Sequence, residues 1–414
     1  MMRYGRHTSL NKTCFWLACL VLKAVILLAG AILLTGCKNK TAARDEWLES
    51  ARLDAEESED KLYEKALKED ILIVYTVTTR ITEVKESFER EYPGLLVEVR
   101  DLRSPNLVSA VEENYQKDGS DCDVVICSDN SGDFKTGLYD KGIVVQYMPS
   151  DIRKHMRSDG SDMIPFVNEA EMLFYNSAKY VCCPITNIWE LTEEKYRNRI
   201  YMPNPLRSFS TYTLCTSVFQ NGSADRLEKA YEDYFGKEFD PEDALRENIA
   251  AGGSRKDSAW NVSACAALLW TKIAENTVFT NSSDEVVEAL SNGNADFGFL
   301  VSSKMRFSDI GFTMQPVYRL DPFSGCRTSY SVTLARNSKN INTAKLFIRY
   351  LLGGEDGSGE GYKPFKTLGT WSARDDVGDG NPVALEDIDL IVPDQDFIVK
   401  QEWTEGFWTE LLRK

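Results

Sequence analysis

Residues 71–94 read ILIVYTVTTRITEVKESFEREYPG, and their pattern indicates the fold class. Its first seven residues are almost all apolar and mostly β-branched or aromatic, which predicts a buried strand. A helix is predicted next, because Ile81, Val84 and Phe88 recur at helical spacing before a Pro-Gly pair ends the pattern. A buried strand followed by an amphipathic helix is typical of the β–α–β units of a parallel sheet.

The same alternation continues along the chain. Further strands are predicted at residues 95–99, 123–126, 143–147, 172–176, 200–202, 295–301 and 330–334. Further helices are predicted around residues 107–115, 185–196 and 342–352, and after Ser282-Ser-Asp-Glu285, which fits a capping box. The chain is therefore predicted to be an α/β protein with mostly parallel sheets flanked by helices.

The N-terminal residues predict export. Basic residues without acids precede an uninterrupted apolar run, Ala24–Leu34, as in a signal peptide. Leu34-Thr35-Gly36-Cys37 then matches the lipobox of bacterial lipoproteins, which predicts a signal peptide of residues 1–36 and a lipid on Cys37. A plain transmembrane helix is the alternative, and Lys23 disfavours it because a mid-span lysine costs about 2.5–3.5 kcal/mol. We expect a lipid-anchored protein at the periplasmic face of a bacterial membrane.

Charge and composition bound the partners. Residues 37–70 are highly charged and predict a tether between the lipid and the folded body. The chain has 64 acidic and 48 basic residues, which argues against a nucleic-acid partner. The chain beyond the signal is too long for one compact core and suits two lobes. We expect a monomer.

Cysteine and histidine usage argues against metal sites and catalysis. No CxxC spacing occurs, and most cysteines lie in apolar stretches, which indicates small buried side chains rather than zinc ligands. Outside the signal and the lipobox these are Cys122, Cys127, Cys182, Cys183, Cys215, Cys265 and Cys326. His155 is the one histidine beyond the signal, and no GxSxG, HExxH or Walker motif is present. We expect no cofactor, no metal and no catalytic residue.

Several motifs appear in an order that resembles a known family. They are Phe-x-x-x-Tyr-Pro-Gly at 88–94, Asp123-Val-Val-Ile126, Gly142-Ile143, Met172-Leu-Phe-Tyr-Asn176, the helix 184–191, Asn204-Pro205 with Ser208, and the helix 342–352. Together they resemble the bacterial extracellular solute-binding proteins of the family 1 or iron(III)-type cluster, the capture components of ABC importers.

The resemblance implies a two-lobed periplasmic-binding-protein-like (type II) fold with a ligand cleft between the lobes and hinge closure. It assigns residues 71–167 and about 311–352 to lobe 1, and 168–310 and about 353–414 to lobe 2. Crossing segments are expected near Phe166–Tyr175 and Gly311–Val317. The implied partners are a small-molecule solute and an ABC permease.

Loops that follow parallel strands face such a cleft. This nominates Thr78, Thr79, Arg80, Ser128, Asp129, Asn130, Arg207, Ser208, Ser210, Thr211 and Tyr212 as ligand-binding residues, with Trp260 and Tyr330 as candidate walls. Their hydroxyls and free backbone N–H groups suit an anion. The alternative is that the hydroxyls cap helices, that the arginines are solvated, and that the aromatic residues are core.

The expected ligand is an organic or phosphorylated anion. Iron-binding members of the family commonly use a tandem tyrosine pair, and the corresponding segment here, residues 297–305, contains no tyrosine. An iron(III)-binding transport protein, a sensing or adhesive lipoprotein, and a hydrolase are the alternatives to an importer's binding protein.

Overall fold

The computed structural model describes residues 46–102, 104–117, 119, 121–157, 163–242, 263–399 and 402–413. The chain divides into two units, Met1–Leu53 and Asp54–Lys414. In the first unit, residues 46–51 are helical. The predicted signal peptide and Cys37 lie outside the described residues. Among the described residues, no helix combines the length and apolar character that crossing a membrane requires.

The second unit alternates strands and helices, as the sequence predicts. Its strands are β1 Leu72–Thr76, β2 Val97–Asp101, β3 Val124–Ser128, β4 Val144–Val145, β5 Pro165–Asn176, β6 Ile200–Pro203, β7 Thr277–Thr280, β8 Phe297–Val301, β9 Met314–Pro316, β10 Gly325–Ala335, β11 Trp371–Ser372 and β12 Leu390–Ile391. Its helices are α1 Glu59–Ala66, α2 Arg80–Glu91, α3 Ser104–Lys117, α4 Ser150–Arg153, α5 Phe209–Ser217, α6 Asn221–Phe235, α7 Ala264–Asn276, α8 Ser283–Ser291, α9 Ile341–Leu352, α10 Gln395–Ile398 and α11 Glu402–Leu411.

The strands form two parallel blocks joined by two long strands. The order is β2-β1-β3-β10-β5-β8-β6-β7. Neighbours within β2-β1-β3 and within β8-β6-β7 are parallel. Strands β10 and β5 pair antiparallel with each other and with the blocks on either side. We call β5 and β10 the crossing strands.

The predicted α/β fold with mostly parallel sheets is confirmed, and the crossing strands join the two parallel blocks into one continuous hydrogen-bonded path. Strand β5 has 12 residues and β10 has 11, so each is long enough to pair with different neighbours at its two ends. The first crossing lies where it was predicted. The second lies at β10 rather than near 311–317, where β9 pairs with the end of β5. The assignment of the flanking segments to two lobes stays a prediction.

One predicted helix is also different. Residues 185–196 form two short 3-10 helices, Ile188–Thr192 and Glu194–Tyr196, instead of one α-helix. Glu193 between them has extended backbone dihedral angles, which ends the first turn. The capping box at Ser282 is confirmed in part, since the Ser282 hydroxyl accepts a hydrogen bond from the backbone N–H of Glu285.

The cysteines behave as predicted in most cases. All seven in the described residues are free thiols, and five are buried: Cys122, Cys127, Cys215, Cys265 and Cys326. Cys215 and Cys265 belong to a core cluster that also contains Trp189, Trp270 and Trp408. They pack as small apolar side chains in that core.

Candidate functional site

A cavity of about 450 Å³ opens where post-strand loops of both parallel blocks meet the crossing strands. Its polar and charged lining comprises Thr78, Thr79, Arg80, Asp101, Ser128, Asn130, Glu169, Ser210, Ser303, Lys304, Arg306, Thr328 and Tyr330. Carboxyl ends of parallel strands meet at one edge of a sheet, and ligands bind in the crevice outside that edge. We call this space the central cavity.

The central cavity brings together residues from each cluster that the sequence nominated. Thr78, Thr79 and Arg80 follow β1, Ser128 ends β3 and Asn130 follows it, and Ser210 lies in the first turn of α5. All of them line the central cavity. Tyr330, a candidate wall, also lines it. Their role in ligand binding stays a prediction.

Asp129 instead stabilises the turn that follows β3. Its carboxylate oxygens accept hydrogen bonds from the backbone N–H groups of Phe134 at 3.2 Å and Lys135 at 2.8 Å. Burial raises the pKa of Asp129 to about 6. The residue therefore caps the turn that follows β3 and lines a neighbouring pocket rather than the central cavity.

Most of the nominated residues around α5 do not line the central cavity either. Arg207 is exposed and donates to Asn281 Oδ1 at 2.8 Å. The Ser208 hydroxyl lies 2.8 Å from the Thr211 hydroxyl. The Tyr212 phenol interacts with the hydroxyls of Thr216 and Thr404. The reason is helical geometry: successive residues turn by about 100°, so Phe209 and Ser210 line the central cavity while Thr211 and Tyr212 do not. Trp260 lies outside the described residues.

Arg80 does not offer a free charge to a ligand. Its guanidinium lies 2.8 Å from Glu169 Oε1, and both side chains are largely buried, at 14% and 3% exposure. Thr370 Oγ1 also lies 3.3 Å from that carboxylate oxygen, and the guanidinium lies 5.4 Å from the Phe365 ring centroid. Arg80 and Glu169 thus form a largely buried ion pair in the cavity wall, and Thr370 donates a hydrogen bond to Glu169.

Glu171 lies two residues further along β5 and was missed by the sequence analysis. It is 1% exposed and accepts a hydrogen bond from Thr211 Oγ1 at 2.7 Å. Burial raises its pKa to about 7, the Glu169 carboxylate adds to the rise, and hydrogen bonds from Thr211 and Ser210 oppose it. Glu171 is therefore a buried carboxyl beside a hydroxyl of the central cavity.

Two positive charges on the cavity lining were also missed. Lys304 and Arg306 lie in the 3-10 helix that follows β8. Lys304 is paired with Asp284 at 2.7 Å, whereas Arg306 is exposed, lies over the Phe307 ring, and has no ion pair with any described residue. The rule that post-strand loops face the cleft would have found both, had it been applied to β8.

Asp101, the last residue of β2, is the remaining charge on the lining. No lysine or arginine of the described chain forms an ion pair with it. Burial raises the pKa of the Tyr330 phenol, which is also hydrogen-bonded with Ser128, so the phenol is neutral near pH 7. The central cavity therefore offers hydroxyl and amide groups, one unpaired guanidinium and one unpaired carboxylate.

This fold and cavity define a two-lobed α/β protein with a ligand-sized cavity at its crossing strands. A family model described as bacterial extracellular solute-binding protein matches residues 73–356, and the chain belongs to this family. The resemblance found in the sequence is thereby confirmed. No curated protein sequence matches the chain.

Solved structures share the fold at low identity. The chain is similar to iron-bound HitA from Pseudomonas aeruginosa, with 13% identity, TM-score 0.55, and 83% and 99% of the two chains covered. It is similar to the apo ferric ion-binding protein A of Pasteurella haemolytica, with 13% identity, TM-score 0.56, and 83% and 97% covered. It is also similar to AfuA from Actinobacillus pleuropneumoniae with fructose-6-phosphate bound, with 15% identity, TM-score 0.55, and 83% and 99% covered. These periplasmic binding proteins have the two-lobed fold.

Proposed function

We propose that the central cavity captures an organic anion carrying a phosphoryl or carboxylate group and that the protein delivers it to an ABC importer. The observation that carries this proposal is Arg306, the one cation on the described lining of the central cavity that forms no ion pair with a described residue. Arginine binds carboxylate and phosphate oxygens with two parallel hydrogen bonds. The hydroxyls of Thr78, Ser128 and Ser210 supply further donors.

The rest of the lining suits a polyhydroxylated body for that ligand. Asp101 has no cationic partner in the described chain and accepts hydrogen bonds from ligand hydroxyl groups. Thr79, Asn130 and Thr328 donate and accept, so they match a sugar better than an apolar solute. The phosphate group of a sugar phosphate binds Arg306, and the sugar hydroxyl groups donate hydrogen bonds to Asp101.

Iron(III) is the second candidate, because iron-bound and ferric-ion-binding proteins share the fold. At 13% identity the likeness extends to the fold alone. A hard Fe(III) ion takes several anionic oxygen ligands, and Tyr330 is the one tyrosine lining the central cavity in the described residues. The Glu169 carboxylate is already neutralised by Arg80. These features favour the organic anion.

The test is native mass spectrometry of freshly purified protein, followed by a thermal-shift screen. A ligand at a hundredfold excess over Kd stabilises the native state by about 2.7 kcal/mol. We expect upward shifts with fructose 6-phosphate, other sugar phosphates, phosphonates or small carboxylates. A screen in which ferric complexes alone raise the melting temperature would overturn the proposal.

Replacing Arg306 with glutamine is expected to weaken binding of the anion found in that screen by about 10- to 100-fold, because a charged hydrogen bond contributes ~1.5–3 kcal/mol. The matched control is Arg207→Gln, since Arg207 is exposed, bonded to Asn281 and outside the central cavity. Isothermal titration calorimetry measures both. Equal affinities of the two variants for the anion would show that Arg306 does not bind it.

The lipid anchor is proposed on the lipobox alone. Replacing Cys37 with serine removes the thiol that carries the lipid, so we expect an unprocessed or unanchored protein. Membrane fractionation and the mobility of the precursor measure this, with globomycin-treated cells expressing the original chain as the comparison. Unchanged processing and unchanged membrane association in both experiments would contradict a lipoprotein.

The importer role is tested separately from the cavity. A permease and an ATPase encoded beside this gene are expected for an importer's binding protein. A sensing or adhesive lipoprotein would instead lack them, and would bind its ligand without supporting uptake. Uptake of the radiolabelled solute by cells with and without the gene distinguishes these roles.

A further inference from the structure

Strand β5 carries two buried carboxyl groups at the central cavity, one of which, Glu169, lines it. Glu169 and Glu171 are two residues apart on β5, so their side chains project from the same face of the strand. Both are buried, at 3% and 1% exposure. Glu169 is neutralised by Arg80, whereas no lysine or arginine of the described residues pairs with Glu171.

The groups that face Glu171 are almost all neutral. Helix α5 presents the hydroxyls of Ser210 and Thr211 and the thiol of Cys215, and β10 presents the thiol of Cys326. Burial raises the pKa of both thiols, so both are protonated near pH 7. The one charge in this environment is Glu169, together with the Arg80 that neutralises it. Ionised Glu171 is therefore costly, and burial raises its pKa to about 7.

Ser210 connects Glu171 to the central cavity. Ser210 precedes Thr211, whose hydroxyl donates to Glu171 at 2.7 Å; a hydrogen bond from Ser210 also lowers the pKa of Glu171, and Ser210 lines the central cavity. When Glu171 is ionised it is an acceptor only, so the Ser210 proton points to the carboxylate and the hydroxyl presents lone pairs to a ligand. When Glu171 is protonated it can donate, and the Ser210 proton becomes available to an anion in the central cavity.

We propose that Glu171 is a proton-linked specificity residue of this site, whose neutral form favours an anionic solute and whose ionised form opposes it. This inference rests on the proposed function, because it concerns the charge of the captured solute. Binding of an anion then takes up a proton from solvent onto Glu171 when the pH lies above its pKa. The residue acts through Ser210 and need not touch the ligand.

The direction of the pH effect follows from linkage. Glu171 is mostly protonated near pH 6 and mostly ionised near pH 8, so the affinity for an anion is expected to fall about tenfold across that range. Glu171→Gln replaces the carboxyl with a neutral amide of the same shape, and is expected to retain the low-pH affinity at every pH. The control is Glu228→Gln on α6, since burial also raises the pKa of Glu228 and this residue does not line the central cavity.

The experiment is calorimetric titration of fructose 6-phosphate into the original protein, Glu171→Gln and Glu228→Gln. Titrations from about pH 5.5 to 8.5, in buffers of different ionisation enthalpy, give affinities and proton uptake. The ratio of affinities between the original protein and each variant cancels the titration of the phosphate itself. We expect proton uptake in the original protein and in Glu228→Gln, and its loss in Glu171→Gln.

The outcomes separate this inference from the proposed function. If fructose 6-phosphate binds and Glu171→Gln shows the same pH dependence as the original protein, the inference is wrong and the anion site stands. If neither this ligand nor any other anion binds at any pH, the proposed function fails and the inference fails with it.

Without ligand, the contribution of Glu171 to the free energy of unfolding should fall as the pH rises from the ordinary pKa of 4.5 to about 7, because the native state holds a proton that the unfolded chain has lost. Glu171→Gln should remove that fall, and an unchanged profile would count against a proton on Glu171.

Discussion

Replacing Arg374 with methionine is expected to lower the free energy of unfolding by about 3–5 kcal/mol, as breaking a buried ion pair from one side does. Arg374 is 2% exposed. Its guanidinium donates to the carbonyl oxygens of Leu352 at 2.9 Å, Gly353 at 3.1 Å and Gly354 at 3.0 Å. It also donates to both carboxylate oxygens of Asp376, at 2.8 and 2.5 Å.

The large effect follows from where these acceptors are. The three carbonyls lie at the end of α9, where helical carbonyls lack partners and a positive charge is favourable. Methionine keeps the apolar volume of the side chain but leaves the carbonyls and Asp376 without donors. Unsatisfied buried acceptors and an unpaired carboxylate both cost free energy.

Urea unfolding measures this prediction, with Arg413→Met as the control. Arg413 is mostly exposed and pairs with Glu410 one turn away, so its loss is expected to change stability by about 0.5 kcal/mol or less. A loss below ~1 kcal/mol for Arg374→Met would show that water replaces the guanidinium at these acceptors. Other contacts would then have to hold the segment after α9 in place.

The sequence was informative where hydrophobic periodicity is strong. Strand β1 and helix α2 were predicted within a few residues, because an apolar run and a helical stripe each bury one continuous surface. Strand β10 was predicted only at its apolar end, Tyr330–Leu334. Its first half, Gly-Cys-Arg-Thr-Ser, has polar residues on both faces because pockets lie on both sides of it. Because this half of β10 lacks an apolar face, its pattern does not predict a strand, and the second crossing strand was not predicted there.

The site was predictable only as far as strand ends define it. The post-strand rule found residues after β1 and β3, since it depends on local order along the chain. It could not find the pairing of Arg80 with Glu169, which joins residues far apart in sequence. It also could not resolve which residues of the first turn of α5 face the central cavity, because that depends on how the helix is rotated against β5. Thr211 is turned to Glu171 and Ser210 to the central cavity.

The second large effect on stability is expected at the ion pair between Arg80 and Glu169. Replacing Arg80 with methionine leaves the Glu169 carboxylate buried without its cation, and we expect a loss of about 3–5 kcal/mol in the free energy of unfolding. The double variant Arg80→Met and Glu169→Met removes both charges and is expected to recover most of that loss, since well-packed apolar side chains often replace a buried pair at little cost. Urea unfolding of both single variants and the double variant gives the coupling energy. Additive losses in the double variant would contradict a buried ion pair, and would mean that Arg80 stabilises the protein through its contact with Phe365 rather than through Glu169.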